Sequence, residues 1–332
     1  MAAHLTEKEN FLRTISGEIP EYVPLYRMIE WMCWPSVLMP PFGSGGGFTN
    51  FFGVEFVSEA TANNAPIPKP GVFILDDIRK WRDVIKRPAI FDEVDWEKVS
   101  KKDLDARDPL LPKIGGAGLC TFGYFQALVS FMGFNNGLIA CFEEPEEVKE
   151  LMHFILDMNI ELGKKYIQYY KPDAFSGADD IAHERAPFVS EEMFLDIFEP
   201  VWRAEVTLYK EAGLLAQHHN CGKFETFVPH IVDMGYNSWD PAQSVNDLSA
   251  IKEKYGRKLT LCTGIQSNGF CSWPETTEEQ IRAEVRRVMD LYAPDGGYCF
   301  MGNILGPKGD EATAERNRWI QDEYEKNKFN YY

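Results

Sequence analysis

The chain has 332 residues, 45% of them hydrophobic and 26% charged, enough to bury a large core. No stretch approaches the roughly 18 consecutive apolar residues of a membrane span, and a net charge of −17 repels the phosphate backbones of nucleic acids. Seven scattered cysteines read as reduced thiols rather than a disulfide framework, and residues 1 to 20 lack the basic and apolar runs of a secretion signal, so a cytoplasmic protein is expected.

In chain order, a first strand is expected at Tyr22 to Tyr26. The segment from there to Phe56 is rich in aromatic and methionine side chains, among them Trp31, Trp34, Met39, Phe42 and Phe48, and prolines and glycines interrupt it. Over the mouth of a barrel, Tyr26, Trp31, Trp34 and Phe48 would line a pocket for a flat apolar substrate. The same rings would equally pack the barrel floor or a subunit interface, as in a homodimer. The glycine clusters Gly43 to Gly47 and Ile114 to Gly118 lack the spacing of phosphate or dinucleotide loops and read as tight turns. A second strand is expected near Leu111 to Gly115.

The second half has a clearer rhythm. Apolar residues at Val148, Leu151, Met152, Ile155, Leu156 and Leu162 predict a helix from Pro145 to Tyr170. A buried strand from Ala174 to Gly177 then ends in Asp179-Asp180. Ser190 caps the next helix, which Pro200 is expected to break or kink. Strands follow at Leu214 to His219, Tyr236 to Trp239, Leu259 to Cys262 and Tyr298 to Met301, each separated from the next by a helix. Thr277 with Gln280 forms a capping box for the helix running to Tyr292. Strict alternation means a parallel sheet with crossover helices; a doubly wound sheet and a barrel both satisfy it, and the barrel is favoured.

In either architecture sites form at the carboxyl ends of strands. This sequence places polar residues there repeatedly: Asp179 and Asp180, His218, His219 and Cys221, Asp240, Cys262 and Thr263, and Asn303, the last a candidate substrate contact. His219 and Cys221, two apart at a strand end, can both reach one Zn²⁺; Cys262 and Glu184 are candidates for further ligands. The alternative is a packed histidine beside an inert cysteine. Asp179, Asp180, His183 and Asp240 are the candidates for proton transfer, although Asp240-Pro241 is also an ordinary turn dipeptide.

The opening segment Leu5-Thr6-Glu7-Lys8-Glu9 through Glu18 to Pro24 resembles that of the uroporphyrinogen decarboxylase superfamily. Gly177-Ala178-Asp179-Asp180 with Pro187-Phe188-Val189-Ser190 is similar to its strand-to-helix segment, and His219-Asn220-Cys221-Gly222 to its His-x-Cys-Gly. Leu261 to Ile265 and Gly296-Gly297-Tyr298 match two later strand entries. The resemblance implies one (β/α)8 TIM barrel over residues 1–332, with extra N-terminal helices and loops and its site at the mouth. True decarboxylases carry an arginine-rich segment after the first strand, whereas Tyr26 to Trp34 holds the single arginine Arg27. The relatives implied instead are corrinoid-dependent methyltransferases. Their thiol-methylating members have a cysteine at the end of the last strand, and here Phe300 to Asn303 has none. The resemblance therefore implies an O-demethylating enzyme. It would move a methyl group from a methoxylated aromatic to the cobalt(I) of a cobalamin carried by a partner corrinoid protein. Zn²⁺ on His219, Cys221 and Cys262 or Glu184, or a proton from Asp179, Asp180 or His183, would activate the leaving phenolate.

Overall fold

The computed structural model describes residues 4–38, 47–58, 66–116, 123–307 and 309–332. Met39, Phe42, Gly43 to Gly46, Ala117, Gly118 and Cys120 lie outside the described residues. The chain divides into two compact units. One is built from Cys33–Arg107 and Ile114–Ala216, the other from Met1–Met32, Asp108–Lys113 and Gln217–Tyr332.

In the first of these, the aromatic segment supplies part of an antiparallel sheet that the sequence pattern does not announce. Its strands are β1 (Phe48–Thr49), β2 (Glu55–Ser58) and β3 (Pro66–Pro68), in that order. Two prolines are tolerated in β3 because it is an edge strand. Further on, β4 is short (Ile114–Gly115) and pairs in parallel with β5 (Ala174–Ala178). Between them runs the helix Pro145–Tyr170. Proline opens it without losing a hydrogen bond, Glu146 and Glu147 favour its first turn, and Val148, Leu151, Met152 and Ile155 are buried along one stripe. It stops at Lys171, which takes a left-handed conformation (φ 45°). Ser190 caps the following helix by accepting from the Met193 N–H. Pro200 does not break that helix. A π-helical turn at Phe194–Phe198 shifts the register, so that Pro200 falls in the first turn of Glu199–Glu211, where no intrahelical N–H is required of it.

The other unit opens with the helix Glu7–Ile15, closed at its start by a Thr6–Glu9 capping box. Tyr22 to Tyr26 is not a full strand. It makes one isolated parallel bridge, Leu25 to Phe300, with Tyr26 N–H donating to the Phe300 carbonyl and Phe300 N–H to that of Pro24, both at 2.8 Å. Pro20 and Pro24 have no N–H to extend the ladder. The regular strands are β6 (Leu215–His219), β7 (Ser238–Asp240), β8 (Thr260–Gly264) and β9 (Tyr298–Met301), and parallel pairing runs from β6 through to β9. The connecting helices are Val228–Met234, Leu248–Tyr255 capped by Asp247, and Glu278–Tyr292 with the Thr277–Gln280 box. Ile281, Val285, Val288 and Met289 from the last of these pack on Tyr298 and Phe300 of β9 and on Ile320 and Tyr324 of the C-terminal helix Glu311–Asn327. Burial of these side chains is the main force holding strand and helices together.

Within each unit the barrel-type strands pair in parallel and in chain order, β4 with β5 in one and β6 through β9 in the other, as the expected α/β barrel class requires. Among the described residues no single helix is long and apolar enough to cross a membrane.

Candidate functional site

Alternation along β6 decides the fate of its two histidines. His218 points to the side opposite Gln217 and His219. It is fully buried, stacked on Phe224 and edge-on to Tyr236. Burial lowers its pKa to about 3, so it stays neutral and serves as core. The sign of the linkage follows. An unfolded chain takes up a proton near pH 6.5 that the folded chain refuses, so stability is lost as pH falls from about 6.5 toward 3. His218→Leu is expected to remove this liability. Between pH 7 and pH 5 its urea midpoint should fall less than that of the parent, by the equivalent of roughly 2 kcal/mol. Equal acid losses in the two proteins would show that His218 titrates normally.

His219, by contrast, is partly exposed, with its side chain 22% accessible. In the ladder it lies directly opposite Asp240 of β7. Its Nδ1 hydrogen-bonds Asp240 Oδ2 at 2.8 Å, and Gln217 Nε2 donates to Asp240 Oδ1 at 2.6 Å. Gln217 Nε2 also bonds the Tyr26 hydroxyl, which itself hydrogen-bonds Asp240. With Nδ1 committed to the carboxylate, Nε2 is the other ring nitrogen of His219. It faces Cys221 Sγ at 4.0 Å.

The turn that carries Cys221 is fixed from several sides. Asn220 N–H donates to the Asp240 carbonyl at 2.9 Å, and Gly222 N–H to Gln243 Oε1 at 2.7 Å. Asn246 Oδ1 accepts from Phe224 and Glu225 N–H, while its Nδ2 donates to the Gly222 carbonyl. Gly222 itself sits at φ 84°, a conformation that favours glycine. The sulfur is therefore held beside the imidazole by the fold. On a tetrahedral Zn²⁺ a nitrogen and a sulfur ligand lie about 3.5 Å apart, given bond lengths of about 2.0 and 2.3 Å. The observed 4.0 Å is about half an ångström longer than two corners of such a site.

Cys262 takes a different place. It is fully buried on β8, opposite Cys299 of β9, and its sulfur hydrogen-bonds that of Cys299. Burial, the Cys299 thiol and the Asp240 charge all raise its pKa well above the ordinary thiol value, which disfavours the thiolate a metal needs. Tyr26 and Trp31 are buried together, edge to face with centroids 5.3 Å apart, and Phe11 packs on both. Asn303 is exposed after β9.

In the unit of β4 and β5, Asp179 is buried and acts on a helix. Its Oδ2 accepts from Tyr124 N–H (3.0 Å), Phe125 N–H (2.9 Å) and Trp202 Nε1–H (3.1 Å), and its Oδ1 from Gln126 N–H (3.1 Å). The carboxyl thus ties the end of β5 to the first turn of Tyr124–Met132, where a negative charge also meets the helix dipole. Burial pushes its pKa up to about 7 against the pull of those donors. Gly123 makes the approach possible: at φ 117°, a β-carbon there would run into the Ala178 carbonyl and the Asp179 carboxyl. Behind it Tyr124 hydroxyl donates to buried Glu205 at 2.7 Å, a carboxyl that burial likewise raises to about 7. The Asp180 carbonyl accepts from Gln126 Nε2 at 2.7 Å. His183 and Glu184 are exposed in the turn before Pro187, with His183 stacked on Phe188. Trp34 lies against Gly115, and Phe48 stacks on Phe56 across β1 and β2.

Of the residues the sequence nominates, the structure brings together His219, Cys221, Asp240 and Tyr26. Gln217 was missed, although it sits two residues before His219 and strand alternation puts both on one side. Glu205 and Trp202 carried no sequence signal, because only tertiary packing brings them to Asp179 and Tyr124.

A solved structure, a methyltransferase from Methanosarcina mazei, resembles this fold with a TM-score of 0.61. The similarity covers 97% of this chain and 99% of that one, at 14% sequence identity. No curated protein sequence matches the chain. The family profile described as "Uroporphyrinogen decarboxylase (URO-D)" matches residues 96–302, a span from before β4 to just beyond β9. With well over half of its length inside that profile, and with the parallel strands in the order the fold requires, the chain belongs to the uroporphyrinogen decarboxylase (URO-D) family.

Proposed function

We propose that the protein is a methyltransferase that takes a methyl group from a methoxylated aromatic and passes it to the cobalt(I) of a corrinoid on a partner protein. The observation that carries this reading is the His219–Cys221 pair at the end of β6, spaced at 4.0 Å with the imidazole's far nitrogen already bound to Asp240. The structural likeness to a protein named as a methyltransferase supports it. Bound there, Zn²⁺ would act as a Lewis acid on the ether oxygen, relieving the poor leaving ability of a phenolate. His219 and Cys221 would hold it, and Asp240 orients His219.

A second reading, decarboxylation of a carboxylated substrate, is favoured by the family's own description. Against it, Arg27 is the one arginine between Tyr26 and Trp34, and it is ion-paired to Glu7 at 3.3 Å. It would have to leave that partner to hold a carboxylate.

The test is anaerobic incubation of the protein with cobalt(I) corrinoid protein and a panel of methoxylated aromatics. Loss of the cobalt(I) absorbance with stoichiometric release of a phenol is the expected result. No methyl transfer from methoxyarenes, thiols or methylamines would overturn the proposal and bring decarboxylation forward.

A further inference from the structure

The network behind His219 is more elaborate than a single hydrogen bond, and all of it lies under the exposed edge of the imidazole. Asp240 is completely buried and has accepted bonds on both oxygens, from Gln217 Nε2 at 2.6 Å and from His219 Nδ1 at 2.8 Å. Tyr26 adds a third, and Gln217 bridges Tyr26 and Asp240. Burial, reinforced by the Asp240 charge, holds the Tyr26 phenol well above its usual pKa, so it keeps its proton and acts as a donor. A buried carboxylate with donors on both oxygens cannot swing away from the histidine, so the ring orientation is set before any ligand arrives. Three side chains, Gln217 and Asp240 from strands and Tyr26 from the segment before Arg27, are thus spent on one histidine that no core packing demands; His218, its neighbour, needs none of them.

We infer that Asp240, itself locked by Gln217 and Tyr26, is a positioning residue: it fixes His219 in the Nδ1–H tautomer and aims Nε2 at the space beside Cys221. This rests on the metal reading above and deepens it. A neutral Nε2 lone pair is the form a divalent ion binds, and the partner on the other ring nitrogen decides which tautomer is present. The inference also explains why a Gln, a residue with no chemistry of its own, is buried at the middle of β6.

Two measurements on the same proteins test it. Nitrogen-15 NMR of histidine-labelled, metal-free protein should show His219 protonated at Nδ1. In Asp240→Asn, which preserves shape but places an amide N–H opposite the ring, the proton should move to Nε2. Co²⁺ titration against a chromophoric chelator should then show Asp240→Asn binding 10- to 100-fold more weakly, and Tyr26→Phe and Gln217→Leu weakened by a smaller factor of about 3- to 10-fold. The sulfur-to-cobalt charge-transfer band should be altered in Asp240→Asn. An Nε2–H tautomer in the parent, or Asp240→Asn with parental tautomer and Co²⁺ affinity, would overturn the inference. If the parent binds no Co²⁺, the metal reading fails, and the NMR result alone decides whether Asp240 positions the ring. Should Asp240→Asn not fold, Tyr26→Phe and Gln217→Leu carry the same test, and parental tautomer populations and Co²⁺ affinity in both would refute the lock.

Discussion

If zinc sits on His219 and Cys221 as proposed, Cys221→Ala is expected to lose it and to slow the proposed methyl transfer by about 10³-fold, while its urea midpoint stays close to the parental value. The magnitude follows from the task assigned to the metal. Lewis-acid stabilisation of a leaving oxygen is worth several kcal/mol, and each 1.4 kcal/mol or so is a factor of ten in rate. The side chain is only partly buried and its turn is held by Asn220, Gly222 and Asn246 rather than by the sulfur, so the fold should not notice its removal. Metal content by atomic emission and turnover in the cobalt(I) assay check the two halves separately. Unchanged metal and unchanged turnover would remove zinc from the site. Loss of metal with full activity would show that the ion in the parent is idle, and would move the burden of leaving-group activation to a proton donor.

The largest expected effect on stability belongs to Asp179. Replacing it with alanine strips the acceptor from four N–H groups, three of them the first turn of Tyr124–Met132 and one the Trp202 indole. Each buried donor left without a partner costs about 1–3 kcal/mol, partly relieved where water enters, so a total of about 3–5 kcal/mol is expected. Asp179→Asn should cost about half as much, because one carbonyl oxygen survives while an amide N–H now faces other N–H groups. Urea unfolding at pH 8 measures both. A parental midpoint for Asp179→Asn would mean that the carboxylate is not what anchors the helix. The pH dependence has a definite sign. Asp179 and Glu205 are raised to about 7 from ordinary values near 4, so the folded protein holds protons that the unfolded chain releases. Their contribution is full below about pH 4 and declines as pH rises toward 7. His218 acts in the opposite direction over an overlapping range.

How much of this the sequence determines can be judged residue by residue. Helices with strong periodicity or explicit caps were readable, as at Pro145–Tyr170, Ser190 and Thr277–Gln280, because cap chemistry and a buried stripe are local properties of the chain. Strands β5 to β9 were readable because short apolar runs between helices leave few alternatives. The pairing of His219 with Cys221 was also legible, since two residues at one strand end cannot be far apart.

What tertiary structure alone decided concerns partners distant in sequence. Cys262 reads in the sequence as the last residue of its strand, yet β8 runs on to Gly264 and the cysteine lies within it, opposite Cys299 and fully buried. Asp179 and Asp240 look alike in sequence, each an acidic residue closing a strand. One accepts from a helix 55 positions earlier, and the other from a histidine 21 positions earlier. Tyr22 to Tyr26 has the composition of a strand but lacks the donors to be one. Composition and periodicity fix what a segment can become, because they act within a few residues. Which polar group meets which across the sheet depends on strand register and packing, and there the sequence by itself is silent.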